Sequence, residues 1–188
     1  MDAGRERIIV AACELLDAED DAEAFSIDAV ARRAGVARMT IYNQFESKAG
    51  LLEALFDSLA ERGAIGQMAE VFREPDPVVA LDRFVALFGR FWTTNRRAHR
   101  RLGAAAALDP ELAAGLRSRN ERRRYGVTEL VRRLGKARST PFDHDEVVNL
   151  LCVLLSFDNF DALAGKSRTP EGVTPMMQKL ARLVVGVS

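Results

Sequence analysis

Apolar positions recur along this chain at helical spacing nearly from end to end. Ile8, Ala11, Ala12, Leu15 and Leu16 fall at i, i+3, i+4, i+7 and i+8, which predicts a first helix over residues 4–18. Asp20 to Ala24 reads as a turn, and Phe25 as an apolar staple ahead of the next helix. Ser26 can accept a hydrogen bond from the free amides of a first turn. Ile27, Val30 and Ala31 then form the stripe of a short amphipathic helix, Arg32 and Arg33 end it on the polar side, and Gly35 supplies the backbone freedom to stop. Val36 and Ile41 anchor a second short helix with Phe45 at its end. Ser47 opens a further one that starts with Lys48. Leu51, Leu52, Leu55, Phe56 and Leu59 carry that helix over residues 47–70, with Gly63 and Gly66 as places to bend or end it.

The stretch REPDP, residues 73–77, is the clearest boundary, because two prolines stop a helix. Residues 78–95 follow as a helix with Leu81, Phe84, Val85, Phe88, Phe91 and Trp92 on one broad apolar face. A long helix is expected over about 110–135. Residues 143–164 form the most apolar helix of all, with Val147, Val148, Leu151, Leu155 and Phe160 among positions that run most of the way around it. Such a helix needs cover on more than one side. Residues 175–187, with Met176, Met177, Leu180, Leu183 and Val184, offer a helix that can supply part of that cover.

With 188 residues the chain suits one compact body or one small and one medium domain, with a core that needs no staples. Cys13 and Cys152 sit in apolar helical patterns and read as two buried thiols rather than a disulfide. No apolar run approaches membrane-spanning length, and Glu14 interrupts the segment from Ile8 to Leu16, so neither a membrane span nor a signal peptide is expected. The expected location is cytoplasmic. Net charge is zero, which hides an uneven distribution: residues 1–63 hold 7 basic against 13 acidic side chains, and residues 82–138 hold 15 against 5. The acidic excess concentrates between Glu14 and Glu23, so a nucleic-acid surface in the N-terminal part must be local. Arg96, Arg97, Arg100, Arg101, Arg117, Arg119 and Arg122 to Arg124 read first as a solvated face, next as partners for the acidic N-terminal part, and last as an attractor for an anionic ligand. His99 and His144 have no companion ligands at metal spacing. No catalytic constellation, metal site or cofactor motif is apparent.

Two short helices joined by a Gly-containing turn, over residues 26–48, have the shape of a helix-turn-helix. On the second helix, 3.6 residues per turn place Tyr42 almost above Arg38, and Asn43 above Met39. Ile41 and Phe45 carry the apolar side, so Arg38, Met39, Tyr42 and Asn43 form one outward strip fit for a major groove. Arg38 can read guanine O6 and N7, and Asn43 can pair with adenine N6 and N7. Thr40, Tyr42 and Lys48 suit phosphate oxygens, which position a helix without specifying sequence. Arg5 and Arg7 read equally as phosphate contacts or as a solvated pair.

The pattern A-x-x-A-G-V-x-x-x-T-I-Y-x-x-F-x-x-K-x-x-L-L, from Ala31 to Leu52, closely resembles the DNA-binding signature of the tetracycline-repressor (TetR) family. The resemblance in motif covers about residues 5–60; beyond it the chain matches in length and all-helical texture. It implies backbone contacts for Thr40, Tyr42 and Lys48. Ala37 and Asn43 depart from common family choices, and alanine at 37 weakens the cap of the reading helix.

The fold expected from pattern and resemblance is all-α. Residues 1–50 are read as a three-helix helix-turn-helix DNA-binding domain, 51–77 as linker helix and boundary, and 78–188 as a ligand-binding and dimerisation domain. The linker helix is expected to act as a mechanical link. The resemblance implies a homodimer joined by its last two helices, a near-palindromic double-stranded DNA operator, and a small, mostly apolar effector that releases a repressor. Candidate DNA-binding residues are Ser26, Arg38, Met39, Thr40, Tyr42, Asn43 and Lys48; candidate pocket residues are Phe84, Phe88, Trp92 and Phe157. The alternatives are a helical enzyme using the aromatic face, or an interaction module with a non-functional helix-turn-helix.

Overall fold

The computed structural model describes residues 3–18, 24–137 and 143–187. Among the described residues every regular element is helical, which gives the all-α fold that the apolar spacing predicts. The chain groups into two compact units, Met1–Glu61 with Arg97–Ser118, and Arg62–Arg96 with Arg119–Ser188.

The first unit begins with α1 (Ala3–Asp17), whose stripe of Ile8, Ala11, Ala12, Leu15 and Leu16 is buried. The turn read from Asp20 falls outside the described residues as far as position 23. The next helix, α2 (Ile27–Ala34), starts at Ser26, whose hydroxyl accepts from the Ala29 amide at 3.1 Å, and stops at Gly35, where φ of +65° would strain any side chain. It is followed by α3 (Arg38–Phe45) and α4 (Lys48–Arg62). Phe25, Ile27, Val30, Ile41, Phe45 and the α4 residues Leu51, Leu52, Leu55, Phe56 and Leu59 share one apolar cluster with α1.

Residues from much later in the chain complete that cluster. Ala98 and Leu102 of α7 (Arg96–Ala106) and Leu112 of α8 (Pro110–Ala137) are fully buried in it. Arg97 and Arg101 donate to the carbonyls of Asp17 and Leu15 at 3.2 and 2.7 Å, which satisfies acceptors that the end of α1 leaves without helical partners. The first compact unit is therefore discontinuous in sequence. The reason is the apolar side of α7, which the arginine run conceals.

The helix expected over 47–70 is shorter. It ends at Arg62, Ala64 takes a left-handed conformation, and a 3-10 turn (Ile65–Gln67) leads into α5 (Met68–Arg73). Gly63 permits the break: a Cβ there would stand 2.2 Å from the Phe91 ring. In the second unit Asp76 caps α6 (Pro77–Thr94) by accepting from the amides of Val78 and Val79, with Pro77 at the first helical position. Arg133 donates to the carbonyls of Phe72, Glu74 and Pro75, fixing the proline-rich boundary against α8.

The expected helix over 143–164 is two: α9 (His144–Leu154) and α10 (Phe157–Ala164), bent by 49°. Ser156 is extended, and its hydroxyl accepts from the Asn159 amide, so a serine cap restarts the helix where apolar spacing alone suggests continuity. The last helix, α11 (Thr174–Val184), packs on α6 and α9. No single described helix is long and apolar enough to cross a membrane.

Ala37 precedes α3 in an extended conformation and gives it no side-chain cap. Ala37→Ser should therefore raise stability by about 1 kcal/mol, and Ser26→Ala should lower it by a similar amount, in urea denaturation.

Candidate nucleic-acid interface

The turn between α2 and α3 is closed by backbone bonds from Gly35 to Arg32 at 3.1 Å and from Val36 to Ala31 at 3.0 Å. It delivers α3 with Ile41 and Phe45 inward, at 0% and 4% exposure. The opposite side is left to solvent: Arg38, Met39 and Asn43 are exposed, and Tyr42 and Thr40 are half-buried. The strip expected from helical spacing is thus an accessible surface. Ser26 lies at the start of α2, where its hydroxyl serves the cap. Arg5 is occupied within the unit. Its guanidinium donates to the Gln44 carbonyl at 2.7 Å and lies 4.3 Å from the Phe45 ring centre, so it braces the end of α3. Arg7 is exposed.

Arg38 is held in place before any partner arrives. Its guanidinium donates to the Tyr42 hydroxyl at 3.3 Å and to the Asp28 carboxylate at 3.0 Å, and sits 5.7 Å from the Tyr42 ring centre. The Tyr42 hydrogen bond and the Asp28 charge push its pKa above the ordinary arginine value. The Asp28 pair is exposed on both sides, so it orients the guanidinium and opens easily when a better acceptor appears. A guanidinium and a carboxamide on one face of a short helix match the two-pronged edges of guanine and adenine. Asp28 as a holder of Arg38 is a residue that sequence spacing misses, because the two lie on different helices.

Lys48 sits at the first position of α4, and its ammonium is engaged. It pairs with Asp109 and lies 3.5 Å from the Glu111 carboxylate. Asp109 also accepts from the Leu112 amide at 3.2 Å, so one carboxylate caps α8 and holds Lys48. Burial alone would raise the Asp109 pKa; the Lys48 and Leu112 hydrogen bonds and the Lys48 charge outweigh it and hold the carboxyl below the ordinary aspartate value. Sixty-one residues separate the partners, and no local motif marks the pair. Between α3 and α4 the chain turns on Glu46, at φ 65° and ψ −38°. The Glu46 amide bonds to Tyr42 and the Ser47 amide to Phe45, both at 2.7 Å, the pattern of a strained three-residue turn.

The second unit brings the aromatic candidates together. Ring centres of Phe84 and Phe88 are 4.8 Å apart, those of Phe88 and Trp92 5.5 Å, and those of Trp92 and Phe157 5.7 Å. Phe84, Phe88 and Trp92 are buried in the core, and Phe157 is partly exposed. Elsewhere in this unit, Leu150 and Val153 of α9 and Met176 and Leu183 of α11 present apolar side chains to solvent, with Val153 and Leu183 about two-thirds exposed. Asp161 is paired with Arg96 at 2.5 Å. Cys13 and Cys152 form no disulfide, and each is partly exposed rather than fully buried.

Residues 8–55 match the model of the family described as bacterial regulatory proteins, tetR family. No curated protein matches the chain. Among solved structures, a TetR transcription regulator from Haloarcula marismortui ATCC 43049 is 18% identical, with a TM-score of 0.72, over 99% of this chain and 98% of that one. A protein from Saccharomonospora viridis solved in complex with choline is 19% identical, with a TM-score of 0.67, over 99% and 97%. NalD, the secondary repressor of the MexAB-OprM multidrug efflux pump in Pseudomonas aeruginosa, is 21% identical, with a TM-score of 0.61, over 96% and 94%. At these identities the structural likeness establishes the fold.

Because the Asp109 carboxyl ionises below its ordinary value, its contribution is complete above the unfolded aspartate pKa of about 4 and is lost as pH falls through the folded value. Asp109→Asn should remove that component. Urea midpoints of the variant should fall less steeply than those of the parent between about pH 5 and pH 2.

Proposed function

We propose that this chain, whose residues 8–55 match the tetR family of bacterial regulatory proteins, is a homodimeric, cytoplasmic repressor released from its operator by a small molecule. The observation that carries the DNA-binding half is the exposed set Arg38, Met39 and Asn43 beside half-buried Tyr42, on a helix whose other side is locked inward by Ile41 and Phe45. Arg38 and Asn43 read base edges; Met39 supplies apolar contact; Thr40, Tyr42, Lys48 and Ser26 lie against the phosphate backbone. The exposed apolar residues of α9 and α11 join two copies about a twofold axis, since one self-complementary patch serves both. Two reading helices then meet successive major grooves, roughly 34–36 Å apart or a multiple of it, which calls for a near-palindromic operator.

The effector half rests on the aromatic set Phe84, Phe88, Trp92 and Phe157, and draws support from the choline-bound S. viridis neighbour. A small molecule regulates only by binding the DNA-competent and released states unequally.

Gel shifts on the upstream region of the protein's own gene, at stated salt, test the base readout. Arg38→Ala should reduce discrimination between operator and scrambled duplex by roughly tenfold or more, with non-specific binding retained. Lys48→Ala should weaken all duplexes alike and lower the salt slope by about one. Asp109→Asn leaves the Lys48 ammonium only its looser contact with Glu111 and should strengthen binding to every sequence. Equal binding of operator and scrambled DNA by the parent protein would refute the reading. Light scattering should give twice the chain mass for the parent and a single chain mass for the double variant Val153→Glu, Leu183→Glu.

A further inference from the structure

Arg123 is a largely buried cation of the second unit that forms no ion pair among the described residues. It projects from α8 to within 5.8 Å of the Trp92 ring centre. Among the described residues its one hydrogen bond is a long one, 3.4 Å from Nη2 to the Cys152 carbonyl. Its Nε–H is buried and has no acceptor. Desolvation lowers its pKa, opposed by the weaker pull of Cys152 and Asp158. The Cys152 thiol does not neutralise it, because burial first of all pushes that thiol above its ordinary value. Asp158 is exposed, and its charge is weakened by water. Burying a guanidinium with an unused donor beside aromatic rings is costly, and an incoming anion repays the cost.

The geometry points to a binding site for an amphipathic monocarboxylate, its carboxylate on Arg123 and its apolar body along Trp92, Phe157 and Phe88. A planar carboxylate fits the fork made by Nε–H and a neighbouring Nη–H. Trp92 and Phe157 are in contact at 5.7 Å, and Phe157 is the partly exposed ring of the set, so the ligand reaches the dry Nε–H by displacing that ring. The site rests on the proposal that the aromatic set receives the effector, and it specifies the effector's charge.

Trp92 is the only tryptophan, so its fluorescence reports on the site directly. The full chain is titrated with octanoate, octanamide and octyltrimethylammonium, with calorimetry in parallel. Octanoate should bind saturably and at least about tenfold more tightly than the amide, with the ammonium weakest. Arg123→Met should abolish the preference for acid over amide, and Arg123→Lys, which keeps charge but loses the fork, should retain part of it. Melting curves establish that each variant is folded. Equal binding of acid and amide by the parent, no binding of octanoate, or an unchanged preference in Arg123→Met would overturn the site and leave Arg123 as a structural cap of α9. A parallel gel shift separates the two readings. Octanoate that binds without changing DNA affinity sustains the site and removes the effector role. DNA release by the ammonium but not by octanoate sustains the effector role and removes this site.

Discussion

Two side chains decide what α3 offers to its surroundings. Ile41 and Phe45 lie one turn apart and are buried against α1, α2 and α4. With eight residues in the helix, fixing those two fixes the rotation of the other six. Arg38, Met39 and Asn43 are outward because Ile41 and Phe45 are inward. Arg5 secures the arrangement from α1, stacking on Phe45 and bonding to the carbonyl of Gln44. A polar side chain at 41 would therefore disturb the exposed strip although it touches none of its residues.

The arginines follow a common logic of another kind. Arg97 and Arg101 bond to carbonyls at the end of α1, Arg96 to those of Gly165 and Arg168 beyond α10, Arg133 to those after α5, and Arg123 to one in the last turn of α9. Helix ends leave acceptors unsatisfied and carry partial negative charge, and a planar multi-donor cation answers both. The basic excess of residues 82–138 is thus partly structural.

How much could be read from the sequence varied with the range of the interaction. Periodicity located α1, α2, α3, α4, α6 and α11 but not α7, and the Ser26 cap, the Gly35 stop and the outward strip on α3 all rest on contacts a few residues apart. The helix over 47–70 stops at Gly63, the first of the two glycines that mark a possible end, whereas the break at Ser156 within 143–164 depends on a polar cap inside an apolar run. The partners of Lys48 and Arg38 were not legible, since they come from other helices. The placement of residues 97–118 with the first unit was hidden by composition: arginines dominate α7, while two small-to-medium residues, Ala98 and Leu102, decide where it packs.

The single-residue turn at Glu46 bears on motion. Its amide and that of Ser47 tie the end of α3 to the start of α4 with no slack between them. Two helices joined so tightly behave as a rigid crank: neither can swivel unless the other follows. A tilt applied anywhere along the first unit's share of α4 would be transmitted undamped to the side chains of α3, with the backbone itself, rather than any chain of side-chain contacts, serving as the gearing.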